Sequence, residues 1–190
     1  AGPGSDTINL NNPVTPDELD ARGISVDGQD DTAGDLLIIN NTDVGTEIAY
    51  ESTGSDSGDV TGAQTVDVSG DNIEHLIIHG QDEGDDLRVE VLSDTTHIPG
   101  DHVHAGRLNI EGELGIEYRG MGIGSLIVEA PSTAPRLTLH GTAASDLFEV
   151  SFSGAEAGTF VLTSSLGEHT PVETEEVENY GLALLGGDDR

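Results

Sequence analysis

The 190-residue chain has no cysteine, no tryptophan and no lysine. Without cysteine there is no disulfide framework, no thiolate nucleophile and no thiolate metal site. Three Tyr and three Phe are the only aromatic residues, so a carbohydrate-stacking platform has few candidates and the core must be filled by Leu, Ile and Val. Basic residues are also scarce: Arg22, Arg88, Arg107, Arg119, Arg136 and Arg190 stand against 37 acidic side chains, a net charge of -31. A surface of that sign repels nucleic acid and anionic membranes. No stretch approaches the ~20 apolar residues that a membrane-spanning helix needs.

Glycine and acid are what the chain has in plenty. The 26 glycines demand frequent changes of direction, and 34% hydrophobic residues is lean for one compact core, so many short strands are expected in place of long helices. The nearest helix candidate, Pro16 to Arg22, spans barely two turns and would at most cap one end. Like charges crowded on a compact chain repel one another, which calls for counter-ions, either bound Ca²⁺ or a concentrated salt medium.

Internal similarity organises the rest. Leu76, Ile78, His79, Gly80, four further residues, then Asp85, Leu87, Val89, Val91 match Leu137, Leu139, His140, Gly141, four residues, then Asp146, Phe148, Val150, Phe152. Alternation at period two puts the apolar members on one strand face, which makes Phe148 and Phe152 core candidates, and the glycine supplies a sharp corner. Looser units fall near 24–39, 66–91, 108–118 and 182–190, beside the strict copy at 137–152. Units too small to bury their own apolar faces predict stacking, so the expected fold is all-β, an irregular parallel β-helix or solenoid of strand, Gly-turn, strand units. The alternative is an antiparallel β-sandwich, which also yields short strands with regular turn signals. The whole of 1–190 is expected to be one repeat-built domain, a fragment of a larger protein.

The segments Gly80-Gln-Asp-Glu-Gly-Asp-Asp-Leu87, Gly28-Gln-Asp-Asp-Thr-Ala-Gly-Asp35 and Gly186-Gly-Asp-Asp189 resemble the Gly/Asp-rich turns of RTX-type and related bacterial surface repeat proteins. The resemblance implies Ca²⁺ held between stacked turns and an extracellular or cell-surface location, with Asp30, Asp35, Asp82, Asp85, Asp188 and Asp189 as ligands and Asp6 and Asp146 as aligned positions in poorer turns. The nonapeptide G-G-x-G-x-D-x-U-x does not occur in tandem, so a regular roll with an ion in every turn is not implied. Ca²⁺ takes about six to eight oxygens, which glycine turns can help supply through backbone carbonyls. The same aspartates could equally bond their own backbone as Asx-turns.

His97, His102 and His104, with Asp101, form a second metal candidate of transition-metal type. Catalysis is not expected: with 37 acids, paired carboxylates carry no information, and neither a Gly-x-Ser-x-Gly elbow nor a phosphate-loop lysine is present. The expected function is a non-catalytic structural, adhesive or assembly module, with self-association, other surface proteins or glycans as partners. The alternative is a polysaccharide-binding or polysaccharide-cleaving β-helix.

Overall fold

A computed structural model describes residues 4–11, 23–29, 34–42, 45–63, 67–80, 84–131, 135–187 and 189–190. The short helix candidate at Pro16 to Arg22 lies outside them, and the described residues are all strand and turn. In chain order the strands are β1 (Thr7–Leu10), β2 (Ile24–Asp27), β3 (Leu36–Asn40), β4 (Glu47–Ser52), β5 (Gly58–Thr61) and β6 (Val68–Asp71). They continue as β7 (His75–His79), β8 (Asp86–Glu90), β9 (Thr95–Pro99), β10 (Ala105–Ile110), β11 (Ile116–Arg119) and β12 (Leu126–Glu129). The last are β13 (Arg136–His140), β14 (Leu147–Phe152), β15 (Gly158–Ser164), β16 (Gly167–Glu168), β17 (Val172–Glu175) and β18 (Asn179–Ala183).

These strands build two sheets. One runs β1-β3-β7-β11-β10-β9-β13-β18, the other β2-β6-β5-β4-β8-β12-β17-β15-β14, with β16 beside β15. The chain crosses from the first sheet to the second at β1 to β2, β3 to β4, β7 to β8, β11 to β12 and β13 to β14, returning between crossings. The result is a parallel β-solenoid of about four turns and not an antiparallel sandwich. Its parallel ladders join strands from successive turns, such as β3 with β7 and β4 with β8. Several partners across the middle turns share one sequence separation: Thr46 and Asp85 are 39 residues apart, as are Asp86 and Ser125.

Antiparallel detours explain why the copies are unevenly spaced in sequence. After β4 the chain doubles back through β5 to β6; after β8 it overshoots to β9 and returns by β10 to β11; after β14 it returns by β15 to β17. The two strict copies, 76–91 and 137–152, are both first-to-second-sheet crossings, as their identity implies. The looser copies are not equivalent to them: 24–39 crosses the other way, from β2 to β3, and 108–118 is a hairpin within the first sheet.

Alternation does place the core. Leu37, Ile39, Leu76, Ile78, Leu87 and Val89 are buried between the sheets, while their strand neighbours are half-exposed. Tyr50 and Tyr118 are the large aromatic core residues; the Tyr50 hydroxyl donates to the Leu114 carbonyl at 2.6 Å, satisfying the polar end of a buried ring. Phe148 and Phe152 depart from the core placement expected for them. Their strand, β14, is the edge of its sheet; Phe152 is 60% exposed and meets the rings of Phe160 and Tyr180, while Phe148 is half-buried.

Candidate functional site

The corner aspartates hold one turn to the next. Asp35, Asp85 and Asp146 stand just before β3, β8 and β14 and are almost fully buried. Buried carboxylates need partners, and backbone N–H groups supply them. Asp35 Oδ1 accepts from the Asp6 N–H at 2.7 Å, Asp85 Oδ1 from the Thr46 N–H at 3.1 Å, and Asp189 Oδ1 from the Asp146 N–H at 3.0 Å. The Asp146 carboxylate accepts both the N–H and the hydroxyl of Thr142. Each residue lies where a glycine lets it approach: a Cβ on Gly80 would stand 2.9 Å from Asp85 Oδ2, one on Gly141 2.6 Å from Asp146 Oδ2, and one on Gly28 2.5 Å from Asp35 Oδ2.

Asp35, Asp85 and Asp189 are therefore brought to three separate corners and not to one centre. Asp30, Asp82 and Asp188 lie outside the described residues. Among the described residues no group of three or more His, Asp or Glu side chains is disposed to hold a metal ion. Asp35 Oδ2 is buried with no hydrogen-bond partner among the described residues.

The outer face of the second sheet carries a feature the motif search missed. Strand register aligns Asp59, Glu51, Glu90, Glu129 and Glu175 in one row across β5, β4, β8, β12 and β17. Neighbouring strands lie roughly 4.8 Å apart, so these carboxylates repel one another. Burial, with Glu51 and Glu129 on either side, raises the Glu90 carboxyl pKa above the ordinary glutamate value. Arg88 relieves part of the strain: it ion-pairs with Glu175 at 2.7 Å, Glu129 at 3.2 Å and Glu47 at 3.4 Å, tying β8 to three other strands. The signal was in the chain all along, because Glu51, Glu90 and Glu129 recur at the 39-residue offset of the corner partners.

The three candidate transition-metal histidines separate. His97, on β9, points into the core, 5% exposed, sharing a 2.8 Å hydrogen bond with the Tyr118 hydroxyl. Its burial, with His169 and His140 nearby, holds its pKa down at about 3, so it is neutral. His102 and His104 sit instead on the β9–β10 turn, lining an open cleft of about 610 Å³ with His79, Asp101 and Arg119. Arg119 is paired with Glu117, and His104 Nδ1 is buried with no hydrogen-bond partner among the described residues. The fold also makes His79 a cleft residue, because β7 and β11 end side by side. The cleft gathers three imidazoles and a guanidinium on an otherwise acidic protein.

Comparison of the chain with protein-family models, curated proteins and solved structures finds no match.

Proposed function

We propose that the protein is a non-catalytic structural module of an extracellular or cell-surface assembly, stiffened by divalent cations, Ca²⁺ foremost. The row of Asp59, Glu51, Glu90, Glu129 and Glu175 carries this reading. Folding brings these carboxylates together, so a cation that bridges them binds the folded chain and not the unfolded one. Such a ligand stabilises by mass action, about 2.7 kcal/mol at a hundred times its dissociation constant. The Gly/Asp turns that resemble RTX-type segments would add oxygen donors, and the buried Asp35 Oδ2 has no hydrogen-bond partner among the described residues. A chain of this kind stays loose where calcium is scarce and stiffens after export.

The test is a thermal melt followed by circular dichroism in chelator, in millimolar Ca²⁺, and in NaCl with chelator at matched ionic strength. The expected result is a higher midpoint in Ca²⁺ than in NaCl. Equal rescue by NaCl would assign the acidity to salt adaptation and overturn the cation reading. The variant Glu90→Gln is expected to gain about 0.5 kcal/mol in chelator, by removing the middle charge of the row, and to show a smaller calcium increment than the parent chain. Urea titrations with and without Ca²⁺ measure both changes.

A further inference from the structure

Seven histidines are scattered through the sequence, and the fold gathers three of them between the sheets. His97 on β9, His140 on β13 and His169 just before β17 line a small cavity with Leu139, Phe160 and Leu162. His97 is 5% and His169 3% exposed. Although the chain has 37 acidic side chains, none among the described residues lines this cavity. Each buried ring meets a neutral hydroxyl instead: His97 Nε2 shares a 2.8 Å bond with Tyr118, and His169 Nε2 a 2.9 Å bond with Ser164. His169 Nδ1 is buried with no hydrogen-bond partner among the described residues, as is His104 Nδ1 on the β9–β10 turn.

A positive charge placed here has little to offset it. Arg107 and Arg136 from the first sheet, and Glu149, Glu168, Glu173 and Glu175 from the second, are exposed and do not line the cavity, while Arg119 is paired with Glu117. Asp146 draws a proton toward His169 and His104 repels it, but the Asp146 carboxylate already accepts the N–H and hydroxyl of Thr142. The cavity is about 10 Å³, room for one water at most, so solvent cannot hydrate an imidazolium inside it. Burial and repulsion among the rings hold the His97 pKa down at about 3 and lower that of His169. An opened form in which water reaches the rings binds protons near the ordinary value of 6.5. Below that pH, His97 therefore favours opening by about tenfold per pH unit, and His169 adds in the same direction.

One detour of the chain, β15 to β17, forms the second-sheet wall of the cavity through Phe160, Leu162, His169 and Val172. Its ties to the neighbouring turns are few: the four-residue ladder of β17 with β12, the Thr170 N–H donating to the Val103 carbonyl at 2.7 Å, and the Arg88 to Glu175 ion pair. We propose that β15 to β17 is an acid-released flap, which lifts from β9 and β13 ahead of the rest of the solenoid as the pH falls and uncovers Leu139, Phe160 and Leu162. The module is closed at neutral pH and presents an apolar surface in an acidic setting. The flap does not depend on the cation proposed above, so a melt indifferent to Ca²⁺ leaves it untouched.

Hydrogen–deuterium exchange read by mass spectrometry tests this, at pH 7, 6 and 5 in chelator, with rates corrected for the intrinsic pH dependence of amide exchange. Peptides within 158–175 are expected to lose protection by about tenfold or more between pH 7 and pH 5, and to exchange faster at pH 5 than those of β4 and β8. Unchanged protection of 158–175 down to pH 5 overturns the flap. Equal protection of 158–175, β4 and β8 at every pH also overturns it, since the acid response would then belong to the whole fold. The double variant His97→Gln with His169→Gln removes both titrating rings and keeps amides that can replace their hydrogen bonds. Once wild-type circular dichroism at pH 7 shows that it folds, it is expected to lose the acid response, and a response that survives overturns the imidazoles as its cause. Where the variant does not fold, the exchange pattern of the unmodified chain decides alone.

Discussion

Lowering the pH from about 7 to about 4 is expected to cost the fold about 3 kcal/mol through His97 alone. The ring is 5% exposed in the core, and its pKa is held at about 3 because burial disfavours the imidazolium, with His169 and His140 adding repulsion. In the unfolded chain the same ring titrates near its ordinary value of 6.5. The folded pKa is depressed, so the unfolded state binds the proton first, and stability present above pH 6.5 is lost as the pH falls toward 3. His169, also depressed by burial, acts with the same sign. Glu90 acts with the opposite sign, since its raised pKa means that protonation favours the folded row.

The His97 contribution is isolated by replacing both members of its hydrogen bond, His97→Phe with Tyr118→Phe, which leaves neither polar group unpartnered. Chemical denaturation at a series of pH values should show a flatter acid limb for the double variant. An unchanged slope would mean that His97 is not the titrating group.

Gly124→Ala is expected to cost more than about 3 kcal/mol, a large share of the roughly 5–15 kcal/mol that holds a domain together. The new Cβ would fall onto the carbonyl group of Asp85, whose backbone lies on the neighbouring turn and cannot swing aside as a flexible side chain would. Asp85 is 0% exposed, and its carboxylate and carbonyl both belong to the corner that joins β4, β8 and β12. A shift there disturbs three turns at once. Gly154→Ala is the control: its Cβ meets nothing within 4 Å, and a change within about 0.5 kcal/mol is expected. Urea midpoints of the two variants decide the matter, and equal values would show that the corner yields more easily than its geometry implies.

The legible part of this fold was local. Leu76 and Ile78, Leu87 and Val89 alternate because a strand buries every second residue, and glycine follows where the chain must turn beside a buried carboxylate. The stacking of such units into a solenoid followed from their inability to bury an apolar face singly. The carboxylate face was written in the chain as a 39-residue recurrence of Glu51, Glu90 and Glu129, yet it could not be recognised as a face until the strand register showed those positions to be adjacent.

Other outcomes had no local signal. His97, His102 and His104 are close in sequence, but a strand sends alternate side chains to opposite faces and a turn redirects the chain, so one ring entered the core while two lined a cleft with His79. Phe148 and Phe152 occupy the same pattern positions as Leu87 and Val91, which are buried; what differs is that β8 lies inside its sheet and β14 at the edge. By itself, then, the sequence determined strand periodicity, corner chemistry and an acidity that demands counter-ions, because these depend on residues near one another in the chain. Which strands neighbour one another, which detours run antiparallel, and which apolar rows end uncovered were decided only by the tertiary structure, since burial is a property of what packs against a residue and not of the residue.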